Sequence, residues 1–361
     1  MATTLSTLGE SGISISLGEA TGALGDSITV LPILVALGAL TDLSLPRALL
    51  WFGVFQIVWG VVYGLPLSVE PMKALAGLAI AGTLSLGELA AAGLAAGAAL
   101  LVAGRTGTLS RLAGRVGDPV VRGVQLAVAL VLARSAVDLG LASPALAAGA
   151  AVGAGVLIVL LDRRAAPLAV LGVGVALAVV RAGVPAPTLP ALAVFPGGGP
   201  ALTLDAAAGA AGQLAMSVGN AAVATAALCA DYFDADVSPD RLAGSMGAMT
   251  LVSVPLGGLP MCHGSGGLAG KYAFGARSGG ANLLLGAGYL AAAAVTGLVR
   301  AFPTAVLGVL LGLVALQLAA TARRSEALAL TVAVGLVGLL VNVGVAFVLG
   351  MAADAVYERW G

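Results

Sequence analysis

The chain has 361 residues, of which 60% are hydrophobic and only 9% carry a charge. A soluble globular protein has about 25% charged residues, so this composition excludes a soluble enzyme, a nucleic-acid-binding protein and a disordered chain. The 17 basic and 17 acidic residues balance, and long apolar runs fill most of the sequence. These features predict an all-α polytopic protein that lies in a lipid bilayer. Because a spanning helix needs about 20 apolar residues, the chain has room for roughly 12 to 14 spans.

The apolar runs place the predicted spans in chain order, and the third and tenth are short. They cover residues 22–40, 47–63, 71–82, 86–103, 119–134, 143–161, 166–180, 206–230 and 241–256, a stretch from Gly264, then 282–299 and 304–320. Residues 328–352 are long enough for two more spans, and a Pro/Gly-rich loop covers 181–200.

The basic residues predict how the chain is oriented, because positive charge collects in cytoplasmic loops. With a cytoplasmic N-terminus, the loops after even-numbered spans and their edges hold Arg105, Arg111, Arg115, Arg122, Arg163, Arg164, Arg241, Lys271, Arg277, Arg323 and Arg324. The other side has Arg47, Arg134, Arg181 and Arg300. This asymmetry predicts an even number of spans, with both termini in the cytoplasm and the protein in the plasma membrane.

Two local matches share one spacing and indicate an internal repeat. Gly25-Asp26 recurs as Gly219-Asn220, and Gly64-Leu-Pro66 recurs as Gly258-Leu-Pro260, each 194 positions later. Two halves of seven spans must insert in opposite orientations, which is the inverted repeat of many secondary transporters. The predicted organisation is a cytoplasmic segment 1–20, a first repeat 21–182, an extracytoplasmic linker 183–204 and a second repeat 205–357.

The repeated Gly-Leu-Pro begins two stretches that cannot form continuous helix. Pro66 and Pro71 interrupt residues 64–73, and four glycines occur in residues 258–267, which also contain Pro260. Each stretch predicts extended chain leading into a short half-helix, with Pro71 at the first helical position of span 3 and the start of span 10 between Gly264 and Gly266. Inverted symmetry aims both helix N-termini at one central point, where unpaired N–H groups favour an anion.

The charged residues near this point have more than one interpretation. Lys73 serves the site or a carboxylate, or else its ammonium reaches the membrane interface. Glu70 opposes an anion if it is ionised; it is protonated, carries a coupling proton, pairs with Lys73, or is an exposed loop residue. Asp26 is expected to pair with Lys73. Asn220, its repeat equivalent, donates to a ligand or bonds across helices.

The remaining polar candidates do not form an enzyme site. His263, the only histidine, takes part in substrate or proton binding or is a satisfied buried residue. Gln125 is either a functional or a structural polar residue of span 5. His263 occupies the position where a G-x-S-x-G nucleophile motif needs glycine, and Ser265 is two residues away, so a Ser–His pair is excluded. No metal site and no cofactor are predicted.

Four motifs give the sequence a family resemblance. They are Gly22-Ala-Leu-Gly-Asp26 with Leu31-Pro32, Val69-Glu-Pro-Met-Lys73, Val121-Arg-Gly-Val-Gln125, and Pro260-Met-Cys-His-Gly-Ser-Gly-Gly-Leu268 leading to Phe274-Gly-Ala-Arg277. With these motifs the chain resembles the MOT1 family of molybdate transporters, relatives of the sulfate permease (SulP/SLC26) group. The resemblance implies fourteen helices in a 7+7 inverted repeat, with spans 1–4 and 8–11 as a core domain and spans 5–7 and 12–14 as a gate domain. The family usually has glutamine where this chain has Glu70, and no STAS domain is expected.

The sequence therefore predicts a secondary active transporter that takes up a tetrahedral oxyanion by alternating access. Molybdate is the expected substrate, with tungstate or sulfate as others, a proton as coupling ion and a homodimer as assembly. The expected substrate-binding residues are Ser27, Glu70, Pro71, Met72, Lys73, Asn220, His263, Gly264, Ser265 and Gly266, and Asp26, Gln125, Pro66 and Pro260 have structural or coupling roles. The alternatives are a carrier of sulfate, another anion or a nucleobase with the same fold, an anion channel, and a membrane sensor.

Overall fold

The computed structural model describes residues 5–8, 13–113, 117–160 and 166–360. Its first half contains strands β1 (Leu5–Leu8) and β2 (Ile13–Ile15), helices α1 (Leu17–Leu40) and α2 (Leu45–Tyr63), strand β3 (Glu70–Pro71), and helices α3 (Lys73–Ile80), α4 (Leu86–Thr106), α5 (Leu109–Ala113), α6 (Asp118–Leu141), α7 (Pro144–Leu160) and α8 (Ala166–Ala182). Arg115, Arg163, Arg164 and part of the predicted 1–20 segment lie outside the described residues.

The second half likewise has a short strand followed by a short helix among longer helices. It contains α9 (Leu204–Met216), a π-helical segment (Ser217–Ala224), α10 (Thr225–Phe233), α11 (Pro239–Ser253), β4 (Met261–Cys262), α12 (Ser265–Ala273), α13 (Gly280–Ala293), a 3-10 turn (Thr296–Ala301), α14 (Thr304–Ala320), a second 3-10 turn (Thr321–Arg324), α15 (Leu328–Leu340) and α16 (Val343–Trp360).

Helix length and composition make the chain a multi-pass membrane protein. Among the described residues, five helices are long and apolar enough to cross a membrane. The two parts of α1, Leu17–Ile28 and Val30–Leu40, pass the same test together and meet at a bend of 44°, so they count as a sixth if they are one span. Pro32 accounts for the bend, since it has no N–H to donate to the carbonyl of Ile28 one turn earlier. Five shorter apolar helices of 10–17 residues add to these spans.

Several predicted boundaries differ from the observed ones. Helix α1 begins at Leu17 and not at residue 22, because Ser16 caps it by accepting from the backbone N–H of Glu19. Helix α6 continues to Leu141, seven residues beyond the predicted end. By contrast, α14 covers residues 304–320, as predicted. Apolar periodicity also did not indicate the π-helical segment inside predicted span 8.

The two interrupted stretches lie side by side at the centre of the molecule. Strand β3 pairs antiparallel with β4, so that Glu70 faces Cys262 and Pro71 faces Met261. The backbone N–H of Met72 then donates to the carbonyl of Pro260 at 2.9 Å. These bonds keep the chain extended up to Met72, so the prediction that Pro71 begins the helix is wrong: α3 begins at Lys73. Helix α12 begins at Ser265 with Gly264 as its cap, within the predicted range.

Long helix pairs surround this centre and approach closely through small residues. Helix α2 packs along α13, and α4 packs along α11. Where α11 meets α4, a Cβ added to Gly247 would lie 2.5 Å from the carbonyl oxygen of Gly97 and from the amide nitrogen of Leu101. Backbone atoms cannot rotate away, so this contact requires glycine.

We expect Gly247→Ala to destabilise the protein by about 1–3 kcal/mol, the usual cost of overpacking a filled interior. Gly244→Ala, one turn earlier on α11, is the matched control, because a Cβ there has no neighbour within 4 Å. Thermal unfolding of both variants in detergent measures the difference. Equal unfolding midpoints for the two variants contradict this account of the α4–α11 contact.

Candidate functional site

Side chains from three helices, α2, α12 and α13, satisfy the backbone of the first interrupted stretch. The carbonyl of Leu67 accepts from Lys271 Nζ at 3.1 Å and from Asn282 Nδ2 at 2.5 Å. The carbonyl of Val69 accepts from Gln56 Nε2 at 3.2 Å. Exposed carbonyls are costly in a membrane interior, so these bonds explain how an extended stretch persists there.

The second interrupted stretch is held in the same way by one helix, α11. The hydroxyl of Thr250 accepts from the N–H of Met261 at 3.0 Å and donates to its carbonyl at 2.9 Å. Ser253 Oγ donates to the carbonyl of Leu259 at 2.7 Å. Thr250 lies 194 positions after Gln56, the same spacing that separates the two Gly-Leu-Pro motifs.

A buried ion pair lies behind the strands and differs from the predicted one. Lys271 Nζ is 3.2 Å from Asp26 Oδ2, and both side chains are fully buried. Gln56 bridges them, donating to Asp26 at 2.9 Å and accepting from Lys271 at 3.0 Å, and Asn282 accepts from Lys271 at 2.7 Å. The predictions that Asp26 pairs with Lys73 and that Lys271 is a loop charge are therefore wrong. Lys271 is on the face of α12 that packs against α1.

A second ion pair joins the end of β3 to the start of α3. Lys73 Nζ lies 2.6 Å from Glu70 Oε2, as one of the predicted alternatives stated. The side chain of Glu70 is 1% exposed and that of Lys73 is 11% exposed. The other carboxylate oxygen, Glu70 Oε1, is buried without a hydrogen-bond partner in the described part of the chain. Glu70 is thus not an exposed loop residue.

The Glu70 carboxylate packs directly on the first turn of α12, where glycine is required. A Cβ added to Gly264 would lie 2.2 Å from Glu70 Cδ. A Cβ added to Gly267 would lie within 2.4 Å of three oxygens, Ser68 Oγ, Glu70 Oε1 and Asp26 Oδ1. The three oxygens therefore converge on one point, and the backbone of α12 closes over them.

We expect Gly267→Ala to destabilise the protein by more than about 2 kcal/mol, because the methyl group displaces two buried carboxyl groups. Gly266→Ala is the matched folding control, since a Cβ on Gly266 has no neighbour within 4 Å. Unfolding midpoints in detergent are the measurement. A Gly267→Ala protein as stable as Gly266→Ala would show that the carboxyl groups are not held where α12 meets them.

Other predicted site residues are packed elsewhere and support the site from behind. His263 is fully buried; its Nδ1 donates to the carbonyl of Ser68 at 2.8 Å, and its Nε2 lies 2.8 Å from Ser245 Oγ. Both ring nitrogens are therefore engaged by the protein. Ser27 is buried against Tyr289, 3.4 Å from its hydroxyl. Pro66, Met72 and Pro260 belong to the two interrupted stretches and their pairing.

An open cavity of about 600 Å³ lies in front of the ion pair of Lys73 and Glu70. On one side it is lined by α3, the π-helical segment and α12, and on the other by α6, α14 and the 3-10 turn after α14. The predicted residues that line it are Lys73, Gln125, Asn220, Ser265 and Gly266. The cavity also has polar lining residues outside the predicted set: Asp118, Arg122, Tyr232, Gln317, Thr321 and Arg324.

The cavity floor presents hydrogen-bond donors. Ser265 Oγ donates to Asn220 Oδ1 at 2.6 Å, which leaves the Asn220 amide nitrogen without a partner among the described residues. The first-turn N–H groups of α12, at residues 265–267, likewise have no partner in the described ranges. With the Lys73 ammonium at the edge, this floor can bind an anion and offers little to a cation.

The opposite wall of the cavity adds one hydrogen-bond donor, on Gln125. A residue that was not predicted, Gln213, occupies one of the donors expected at the start of α3. Thr321 Oγ1 donates to Gln125 Oε1 at 2.8 Å, so the Gln125 amide nitrogen is left to face the cavity. At the start of α3, however, the N–H of Ala74 donates to Gln213 Oε1 at 3.0 Å. The prediction of two equivalent open helix N-termini is therefore wrong, because Gln213 caps α3. A lone glutamine in the apolar run 206–230 was the available signal.

Comparison with known sequences gives consistent matches. Residues 18–132 and 205–318 match the family described as "Molybdate transporter of MFS superfamily". Molybdate transporter 2 of Arabidopsis thaliana is 31% identical, over 83% of this chain and 78% of the relative. Molybdate transporter 1 of Arabidopsis thaliana is also 31% identical, over 85% and 80%, and molybdate transporter 1 of Chlamydomonas reinhardtii is 27% identical, over 97% and 93%.

Comparison with solved structures identifies the fold. The transmembrane domain of the cyanobacterial bicarbonate transporter BicA superposes with a TM-score of 0.67 at 17% identity, covering 92% of this chain and 97% of that one. The murine anion transporter Slc26a9 in its inward-facing state gives 0.68 at 14% identity, covering 95% and 68%. At such identities the likeness concerns the fold alone. The matched proteins are transporters and not enzymes.

Proposed function

The chain belongs to the molybdate transporter family that its two halves match, and from this premise we propose that it carries molybdate across the plasma membrane as a secondary active transporter. Anion transport is common to the family and to the fold. The main support for this substrate site is the cavity floor. There, hydrogen-bond donors of Lys73, Asn220 and the first turn of α12, which begins at Ser265, surround one open space.

A tetrahedral dianion fits this floor chemically. Its four oxygens accept hydrogen bonds, and the floor supplies the amide nitrogen of Asn220, which Ser265 orients, and the N–H groups of residues 265–267. The ammonium of Lys73 supplies charge, and the N-terminus of α12 adds about half a positive charge. Gln125 donates from the opposite wall, so an anion in the cavity touches both sides of it.

We further propose that the two halves form a 7+7 inverted repeat of fourteen spans. The helix contacts support this, because each has a counterpart when the halves are exchanged: α2 with α13 and α11 with α4, α1 with α12 and α9 with α3, α6 with α15 and α14 with α7. The repeats cover 21–182 and 205–357 with the linker 183–204 between them. The core domain contains α1–α4 and α9–α13, and the gate domain contains α6–α8 and α14–α16.

In this arrangement the substrate cavity lies at the boundary between core and gate. Movement of the core against the gate exposes the floor to alternate sides of the membrane, which is the usual mechanism of inverted-repeat carriers. Asp118, Arg122 and Arg324 line the cavity and belong to the ends predicted as cytoplasmic, so the cavity opens inward in our proposal. Both termini are then cytoplasmic, and assembly as a homodimer stays a prediction.

Uptake of radiolabelled molybdate into proteoliposomes tests the proposed function. We expect saturable uptake that tungstate inhibits more strongly than sulfate does. Uptake of sulfate with no effect of molybdate identifies a sulfate carrier instead, and inhibition by uracil identifies a nucleobase carrier. Electrical currents far above carrier turnover identify a channel. Binding of molybdate without any flux identifies a sensor.

A further inference from the structure

We propose that Glu70 is a built-in competitor of the transported anion: its carboxylate and the anion use the same positive groups, and the anion binds together with a proton that Glu70 takes up. The inference rests on the proposed function and deepens it by naming the coupling ion and the residue that carries it. The proton comes from water in the cavity and forms an O–H bond on the Glu70 carboxylate.

The first support is that Glu70 lies on the groups that the anion needs. Glu70 Oε2 holds Lys73 Nζ at 2.6 Å, and Lys73 lines the cavity. The same carboxylate packs against Gly264 and Gly267 on the first turn of α12. The positive ammonium and the helix N-terminus both attract the Glu70 carboxylate while the site is empty. An anion that enters the site interacts with the Lys73 ammonium and with the N-terminus of α12. It therefore weakens the interactions that stabilise a negative charge on Glu70.

The second support is that the other oxygen of Glu70 is unsatisfied. Glu70 Oε1 is buried and has no hydrogen-bond partner in the described ranges. The nearby hydroxyl of Ser68 cannot serve it, because Ser68 Oγ already donates its proton to Asp26 Oδ1 at 2.5 Å. A buried carboxylate oxygen without a donor is costly, and a proton on it removes that cost.

The third support is that a second carboxylate oxygen faces the first. Asp26 Oδ1 and Glu70 Oε1 both lie within 2.4 Å of the position of a Cβ on Gly267, so they are less than about 5 Å apart. Two carboxylates at such a separation resist joint ionisation unless other charges hold them. Asp26 interacts with Lys271, Gln56 and Ser68, whereas among the described residues the side chain of Glu70 is paired with Lys73 alone. Glu70 is therefore the one that takes the proton.

The charges around Glu70 make the coupling favourable in both directions. The titratable groups that face it are Asp26 from α1, Lys73 from α3, Cys262 from β4, Lys271 from α12 and Tyr289 from α13. Two ammonium groups and two carboxylates leave no net charge to attract a dianion. One proton on Glu70 gives the site a net positive charge, so proton and anion each raise the affinity for the other.

Calorimetry on the purified protein tests the proposal with molybdate as ligand, in buffers of different ionisation enthalpy between about pH 6 and 8. We expect wild type to take up one proton per molybdate and its apparent Kd to rise about tenfold per unit increase in pH. In Glu70→Gln the proton uptake disappears and the Kd no longer depends on pH. Asp205→Asn, which removes an exposed carboxylate that does not line the cavity, keeps the wild-type pH dependence.

An infrared difference spectrum of wild type needs no variant and keeps the test decisive if Glu70→Gln does not fold. We expect molybdate to produce a protonated carboxyl band. Molybdate binding without this band and without proton uptake overturns the inference but leaves the proposed function standing. Molybdate uptake that is driven by a sodium gradient and not by a proton gradient has the same consequence. Absence of molybdate binding by wild type overturns both.

Discussion

Lys73→Met should lose saturable molybdate uptake. The substitution removes the ammonium from the cavity edge and leaves the buried carboxylate of Glu70 without its partner, 1% exposed and next to the anion site. The cavity floor then lacks the ammonium that compensates the charge of the dianion. Removing one partner of a desolvated charge pair costs about 2 kcal/mol or more in binding, so we expect affinity to fall at least about 30-fold. Calorimetric Kd and initial uptake rates measure the loss.

A double variant separates binding from folding. The double variant Lys73→Met, Glu70→Gln removes both charges. If the unpaired carboxylate impairs folding of the single variant, the double variant folds normally. It still lacks the ammonium, so its binding of molybdate stays weak. Lys73→Arg keeps the charge and should retain part of the affinity. Wild-type affinity in the Lys73→Met protein would place the anion site elsewhere.

The second large effect concerns stability, since Lys271→Met leaves Asp26 as an uncompensated charge in the fully buried cluster. Breaking a buried pair from one side costs about 3–5 kcal/mol. The substitution also removes the donor to the carbonyl of Leu67, which weakens the first interrupted stretch. We expect a large fall in the thermal unfolding midpoint in detergent, and loss of uptake as its consequence.

Two comparisons make this result specific. Asp26→Asn together with Lys271→Met removes both charges and should recover much of the stability. Arg111→Met removes a cation that is exposed at the surface, and its effect should stay within about 0.5 kcal/mol. If Lys271→Met unfolds at the wild-type midpoint, the buried pair does not hold the stretch in place.

The interrupted stretches are the part of the site that could be predicted. Prolines at 66, 71 and 260 and the glycines after residue 263 exclude continuous helix by local sterics alone, so their position along the chain needed no tertiary information. The repeated spacing of Gly-Leu-Pro brought the two stretches together, and the pairing of β3 with β4 agrees with that expectation. Five of the predicted site residues line one cavity as a result.

The partners of the charged residues could not be predicted. Lys73 and Lys271 are the only lysines, and each is on a short helix, but the first lines the cavity and the second is buried behind it. That difference depends on which face of α12 packs against α1, which no local pattern encodes. Gln213 was missed for the same reason, since its contact with Ala74 joins residues 139 positions apart.

The sequence by itself determined that the chain is a membrane protein of many helices and that two of its stretches are not helical, because hydrophobicity and proline geometry act within a few residues. Only the tertiary structure decided which carboxylate meets which ammonium, that Gln213 accepts from the N-terminus of α3, and that one oxygen of Glu70 has no partner among the described residues. These contacts join atoms about 3 Å apart that come from distant parts of the chain. Hydrogen bonding and desolvation act only over such short distances, so tertiary packing determines which groups become partners.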